Sequence, residues 1–103
     1  MKKLTRIPLE KFLRKLSTNE TVVDIGSGHA TSYEYKHFFP NRICVDIDPE
    51  RKPDIVADVH DLPFEDNSQN IVLCTEVLEH CKNPKLAISE MTRILKPQGQ
   101  LIL

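Results

Sequence analysis

The sequence predicts an α/β fold, a three-layer sandwich built on a mostly parallel sheet. Three observations carry this. Short runs rich in β-branched apolar residues recur as Val22-Val23-Asp24-Ile25, Ile43-Cys44-Val45-Asp46-Ile47, Ile55-Val56-Ala57, Ile71-Val72-Leu73-Cys74 and Leu101-Ile102-Leu103, and such runs read as buried strands. Segments with apolar residues at helical spacing are interleaved with them. The first strand runs straight into Gly26-Ser27-Gly28, where a missing Cβ lets the backbone turn sharply and approach a ligand closely. The resulting order is α-β-α-β-β-β-α-β, layered about a single sheet.

The elements follow in chain order. Leu4, Ile7, Leu9, Phe12, Leu13 and Leu16 fall at roughly helical spacing with basic residues between them, which predicts a helix over about 8–17 packed on the sheet. Ser17-Thr18-Asn19-Glu20 turns into a strand over 21–25. After the glycines, Thr31-Ser32-Tyr33-Glu34 fits a capping box, because Glu34 stands three residues beyond Thr31. A strand, a glycine turn and a helix start together make a Rossmann-like cradle for a small molecule. Pro40 and Asn41 stop that helix before the second strand, which ends in Asp46. Parallel neighbours normally need a crossover of a dozen or more residues. The stretch from Pro49 to Pro53 is too short for that, so a loop is expected to replace the helix before the third strand, 55–57. Asp58 to Phe64 leaves that strand as a loop, and Glu65-Asp66-Asn67-Ser68 turns into the fourth strand, 71–74. Asn83-Pro84 starts a helix as N-cap and first residue. Leu86, Ala87, Ile88, Met91, Ile94 and Leu95 form its expected buried face, and Lys96-Pro97-Gln98-Gly99 its end. The whole chain is expected to be one domain, with a helix and turn over 1–20 and a binding core over 21–103.

Composition narrows the function. With 40% hydrophobic and 28% charged residues in 103, the chain is an ordinary globular one. A net charge of −1 argues against wholesale nucleic-acid binding. Residues 1–16 nevertheless carry six Lys or Arg and one acid; the solvated face of an amphipathic helix is preferred over a polyanion-binding arm. No apolar run reaches the length of a membrane span and no secretory signal is evident. Cys44, Cys74 and Cys81 are odd in number and without paired spacing, which points to reduced thiols in the cytoplasm. No metal-ligand spacing is present, and His29, His37, His60 and His80 are scattered. A dinucleotide G-x-G-x-x-G would need glycine at Thr31, which disfavours a nicotinamide-type site.

Four signals then stand in order. They are Val23-Asp24-Ile25-Gly26-Ser27-Gly28; Val45-Asp46-Ile47-Asp48; Ala57-Asp58-Val59-His60-Asp61-Leu62-Pro63-Phe64 followed by Asp66-Asn67-Ser68; and Glu76-Val77-Leu78-Glu79-His80 through Arg93-Ile94-Leu95-Lys96-Pro97-Gln98-Gly99. In this sequence and at these separations they resemble the motifs of class I S-adenosylmethionine-dependent methyltransferases, especially the broad small-molecule group related to ubiquinone-biosynthesis enzymes. The resemblance runs from about Thr21 to Leu103.

It implies S-adenosylmethionine as cofactor and a set of binding residues. Gly26 and Gly28 would let the backbone pass close to the methionine and ribose parts. Asp24 would hold the ammonium, directly or through water, the competing reading being a turn cap. Asp46, 18 residues after Gly28, would accept both ribose hydroxyls; Asp48, before Pro49, reads as a turn residue. Asp58 would accept from the adenine amine with the Val59 N–H donating to a ring nitrogen. Glu76 would face the methyl group or its acceptor. Asp61, Glu65 and Asp66 read as solvated, while Glu79 and His80 fit an acceptor-side pair and a helix-surface pair equally. No proline precedes Cys74 and no N/D-P-P-Y follows the fourth strand, so a small-molecule acceptor is expected rather than a nucleic-acid base.

The sequence departs from the family in Ala30, at a usual third glycine, in Gln98, and in length. Relatives continue through two further strands, whereas this sequence stops inside its fifth. An open edge there is expected to pair with a second copy or a partner chain. Two classes of function follow: methyl transfer, or a non-catalytic cofactor-binding module whose acceptor site a partner completes.

Overall fold

The structure is a computed structural model that describes residues 20–26, 39–74, 77–78 and 80–103. The predicted helix over 8–17, the capping box at Thr31, and Gly28, Ala30, Glu76 and Glu79 lie outside the described residues. Among those described, five strands form one sheet: β1 (Val22–Ile25), β2 (Arg42–Asp46), β3 (Ile55–Val56), β4 (Gln69–Cys74) and β5 (Leu95–Ile102). Their order across the sheet is β3-β2-β1-β4-β5, and every pairing is parallel. The helix α1 (Pro84–Ile94) follows β4.

The register brings the strand ends together. Ile25 of β1 stands beside Val45 of β2 on one side and Cys74 of β4 on the other, so three strands finish at the same edge. Alternation then divides the sheet into two faces. Val23, Ile25, Val45, Val72 and Cys74 share a core with Ala87, Met91 and Ile94 of α1. Val22, Asp24, Cys44 and Leu73 point the other way and are also buried. Burial on both faces is what an all-parallel sheet requires, and it accounts for strands that read as continuous apolar runs.

The link between β2 and β3 is short, as expected, and is a 3-10 turn over Pro49–Arg51. The Asp48 side chain caps that turn by accepting from the Glu50 N–H at 3.0 Å. β3 pairs with β2 through only Val45↔Ile55 and Asp46↔Val56. Where β3 is too short to continue the ladder, the Asp54 carboxylate substitutes, accepting from the Cys44 N–H at 2.7 Å.

The third strand is two residues rather than 55–57, and the fourth begins at Gln69 rather than Ile71. The final boundary moves further. Leu95 continues the spacing of Met91 and was expected on the helix, yet it opens β5 beside Gln69. Lys96-Pro97-Gln98-Gly99 belongs to β5 as an irregular excursion, since the next partners are Ile71↔Gln100. Pro97 is tolerated because β5 lies at the sheet edge. Gly99 is fixed there by a close approach: a Cβ would come within 3.0 Å of the Asn70 carbonyl oxygen. The expected buried face of α1 is also narrower, because Leu86 and Ile88 are exposed while Ala87, Met91 and Ile94 are enclosed. These three, at i, i+4 and i+7, make a single stripe along the helix.

Candidate functional site

The shared edge at the carboxyl ends of β1, β2 and β3 opens into a cavity of about 540 Å³. Ligands collect at this position in open α/β sheets because successive strands hand their following loops to one side. Ile25, Val45, Ala57 and Val59 give it an apolar floor, and Gly26, Asp46 and Asp58 stand on its rim.

Gly26 is held by two constraints. Its φ is +74°, and a Cβ would overlap the Val77 Cγ2 methyl at the exit of β4. The glycine is thus required by the packing of β1 against the β4 exit as well as by the turn.

Asp46 closes β2 and is nearly buried. Its Oδ1 accepts from the Asp48 N–H at 2.9 Å, and its Oδ2 lies 3.6 Å from Arg51 Nη1. The 3-10 turn therefore supplies an amide and a cation that fix the carboxylate at the cavity mouth. Asp58 begins the loop after β3. Its Oδ1 accepts from the His60 N–H at 2.9 Å and lies 2.6 Å from His60 Nδ1. These hydrogen bonds, the backbone one first, hold the Asp58 carboxyl below the usual carboxylate range. Val59, next along, is buried on the cavity side of the core.

Asp24 sits differently. Its side chain is fully buried on the sheet face away from α1, with Oδ2 3.8 Å from Arg42 Nε, and it does not line the cavity. Gly28 and Glu76 lie outside the described residues. The structure thus brings together Gly26, Asp46, Asp58 and Val59 of the predicted set.

Several neighbours went unforeseen. Arg42, Arg51 and His60 owe their positions to contacts across loops and strands, and single-sequence spacing does not encode those. His60 had a partial signal: an acid two residues ahead of it is the spacing of an Asx turn. His80, Cys81 and Lys82 line the cavity from the segment leading into α1. Asp48 is the turn residue expected of it.

The loop that carries Asp58 and Val59 is fastened to α1. The Leu62 N–H donates to Glu90 Oε2 at 2.7 Å, and Arg93 donates to the carbonyls of Leu62 and Phe64 at 3.0 and 2.9 Å. Arg93 also reaches Asp66 at 2.7 Å. Arg93 holds the Glu90 carboxyl low.

Among the described residues, no group of three or more His, Cys, Asp or Glu is placed to hold a metal ion, and no helix is long and apolar enough to cross a membrane. The rim offers carboxylates to a ligand rich in hydroxyl and amine donors, over an apolar floor that suits a flat ring. The residues present therefore fit an adenosyl group.

Comparison with known proteins agrees. The profile described as methyltransferase domain matches residues 23–103. An uncharacterized protein of Methanocaldococcus jannaschii is 39% identical over 104 residues, which is 92% of this chain and 44% of that protein. A demethylmenaquinone methyltransferase of Renibacterium salmoninarum is 33% identical over 95 residues, 82% of this chain and 40% of that one. A solved Methanococcus maripaludis structure, provisionally described as an S-adenosyl-L-methionine-dependent methyltransferase, shares the fold with a TM-score of 0.76 at 22% identity, over 90% of this chain and 52% of that one. The chain spans less than half the length of these two curated relatives.

Proposed function

The chain belongs to the methyltransferase-domain family, and from that premise we propose that it binds S-adenosylmethionine at the carboxyl edge of its sheet and serves methyl transfer to a small-molecule acceptor. One observation carries the reading. Asp46 and Asp58, from the ends of β2 and β3, meet Gly26 on the rim of a single cavity with an apolar floor.

Asp46 is the ribose ligand, since an ionised carboxylate offers acceptors to two hydroxyls. The Asp48 amide and Arg51 keep it oriented for that task. Asp58 takes the adenine amine and the Val59 N–H a ring nitrogen. Gly26 admits the ligand close to the backbone, while Gly28 and Glu76, outside the described residues, are assigned by the family resemblance to the cofactor and the acceptor side. The cofactor supplies an already activated methyl group, so the protein's task is chiefly placement, and placement alone contributes much of the acceleration. The domain extends over 1–103 as a unit, and the free thiols at Cys44, Cys74 and Cys81 suit a reducing, cytoplasmic setting.

A second reading has its own support. β5 pairs only with β4 among the described residues, so its outer edge is available to further strands, a second copy or a partner chain. On this reading the chain is a cofactor-binding module whose acceptor site the added chain completes.

Calorimetric titration with S-adenosylmethionine and S-adenosylhomocysteine tests the assignment. Asp46→Ala is expected to weaken binding at least tenfold, because a charge-assisted hydrogen bond contributes roughly 1.5–3 kcal/mol. Asp46→Asn keeps an acceptor for the Asp48 amide and separates loss of charge from loss of the turn. Equal affinity in all three proteins removes Asp46 as the ribose ligand, and no binding by the wild type removes the cofactor reading. A radiolabelled-methyl assay then separates enzyme from binding module. Its acceptor panel should place quinols first, given the name of the Renibacterium relative, with other metabolites and RNA beside them.

A further inference from the structure

His60 is engaged at both ring nitrogens. Nδ1 lies 2.6 Å from Asp58 Oδ1, and Nε2 accepts from the Asn83 backbone N–H at 3.1 Å. A peptide N–H can only donate, so Nε2 presents a lone pair and the single proton of a neutral ring sits on Nδ1, donated to Asp58. The His60 backbone N–H donates to the same Asp58 oxygen. Both bonds fall on Oδ1, so Oδ2 takes part in neither, and Asp58 lines the cavity. Asn83 is the N-cap of α1, its side chain accepting from the Leu86 N–H at 3.2 Å. One imidazole, only 19% exposed, therefore joins a carboxylate on the cavity rim to the first turn of the helix.

We infer that His60 is a positioning residue for the cofactor site: as the Nδ1–H tautomer it aims the Asp58 carboxylate and couples it to the start of α1. This rests on the S-adenosylmethionine reading above and adds to it the device that orients one of its carboxylates. His80, Cys81 and Lys82, from the segment before α1, and Asp48 and Arg51, from the turn after β2, line the same cavity.

The coupling is tested first without any cofactor. Long-range ¹H–¹⁵N spectra of the 103-residue chain should show a protonated Nδ1 and a bare Nε2 on His60; a proton on Nε2 at neutral pH overturns the inference. Two variants then separate the halves of the ring. His60→Asn keeps a donor near the Nδ1 position, whereas His60→Gln places an acceptor near Nε2. For S-adenosylhomocysteine, Gln is expected to raise Kd about tenfold and Asn to change it less than about threefold. Thermal stability should follow the opposite order. A purely structural residue would move both quantities together, and that result defeats the inference. A wild type that binds no S-adenosylhomocysteine defeats the cofactor reading and the positioning role together, while the spectra still decide the tautomer separately.

Discussion

At Gly26 one residue answers to two demands that the sequence displays as a single glycine. Its φ of +74° suits a residue without a Cβ, and the space a Cβ would occupy is held by Val77. A left-handed non-glycine residue costs about 1–2 kcal/mol and overpacking a further 1–3. Gly26→Ala is therefore expected to lower unfolding stability by about 2–5 kcal/mol in urea titrations. Adding Val77→Ala should restore only the packing share, and full recovery would show that the φ carries no strain. The same distinction explains which site residues were legible. Asp46, Asp58 and Val59 follow parallel strands, and parallel strands send their ends to one edge, so order along the chain already placed them together. Arg42, Arg51 and His60 reach their partners across turns and neighbouring strands, and local spacing carries no record of that. Asp24 was legible as an acid at a strand end, but not its burial beside Arg42 on the face away from α1.

The helix α1 shows the same contrast at the scale of an element. Its start was readable because a cap is local chemistry: Asn83 accepts from the Leu86 N–H, and Pro84 occupies the first turn. Replacing a capping Asn by Ala costs about 1 kcal/mol, whereas Gly costs only a few tenths. Asn83→Ala should consequently lower Tm by roughly 4–8 °C, and Asn83→Gly much less. Scanning calorimetry decides this, and equal losses would place the stabilisation in the Asn83 backbone and its bond to His60 instead. The end of α1 was not readable, because Leu95 continues a helical apolar spacing and its N–H still bonds the Thr92 carbonyl, while the residue already stands beside Gln69 of β4. Pro97 looked like a stop and is instead an edge-strand residue. Leu86 and Ile88 were apolar and well spaced, but the face that meets the sheet is the stripe of Ala87, Met91 and Ile94. Periodicity says that a helix has an apolar face; the angle at which it docks decides how wide that face is.

Over the whole molecule, the pairing of charge with burial sets the pH range in which the fold holds. On the acid side, Asp58 and Glu90 have carboxyls lowered from 3.8 and 4.5, through hydrogen bonds from His60 and Arg93 respectively. Their contribution is present above those ordinary values and is lost as pH falls through the lowered ones, which releases the loop over residues 58–66 from α1. The alkaline limit comes from the middle of the sheet. Cys74 closes β4 beside Ile25, and burial pushes its thiol from 9.0 up to about 11, with Cys81 and Asp24 adding to the shift and a hydrogen bond from Val77 opposing it. The unfolded thiol ionises first, so unfolding releases a proton between those two values. The stability is complete below 9.0 and is lost as pH rises toward about 11. A difference of two pH units corresponds to about 2–3 kcal/mol, a large share of the 5–15 kcal/mol typical of a small domain. Urea unfolding of wild type and Cys74→Ala at intervals from about pH 7 to 11 isolates this contribution, because every other ionisable group is common to both proteins. The variant should start less stable and lose less, its curve converging on the wild type toward the alkaline end. Curves that stay parallel throughout would show that the Cys74 thiol ionises alike in the folded and unfolded chain, and that the alkaline limit lies elsewhere.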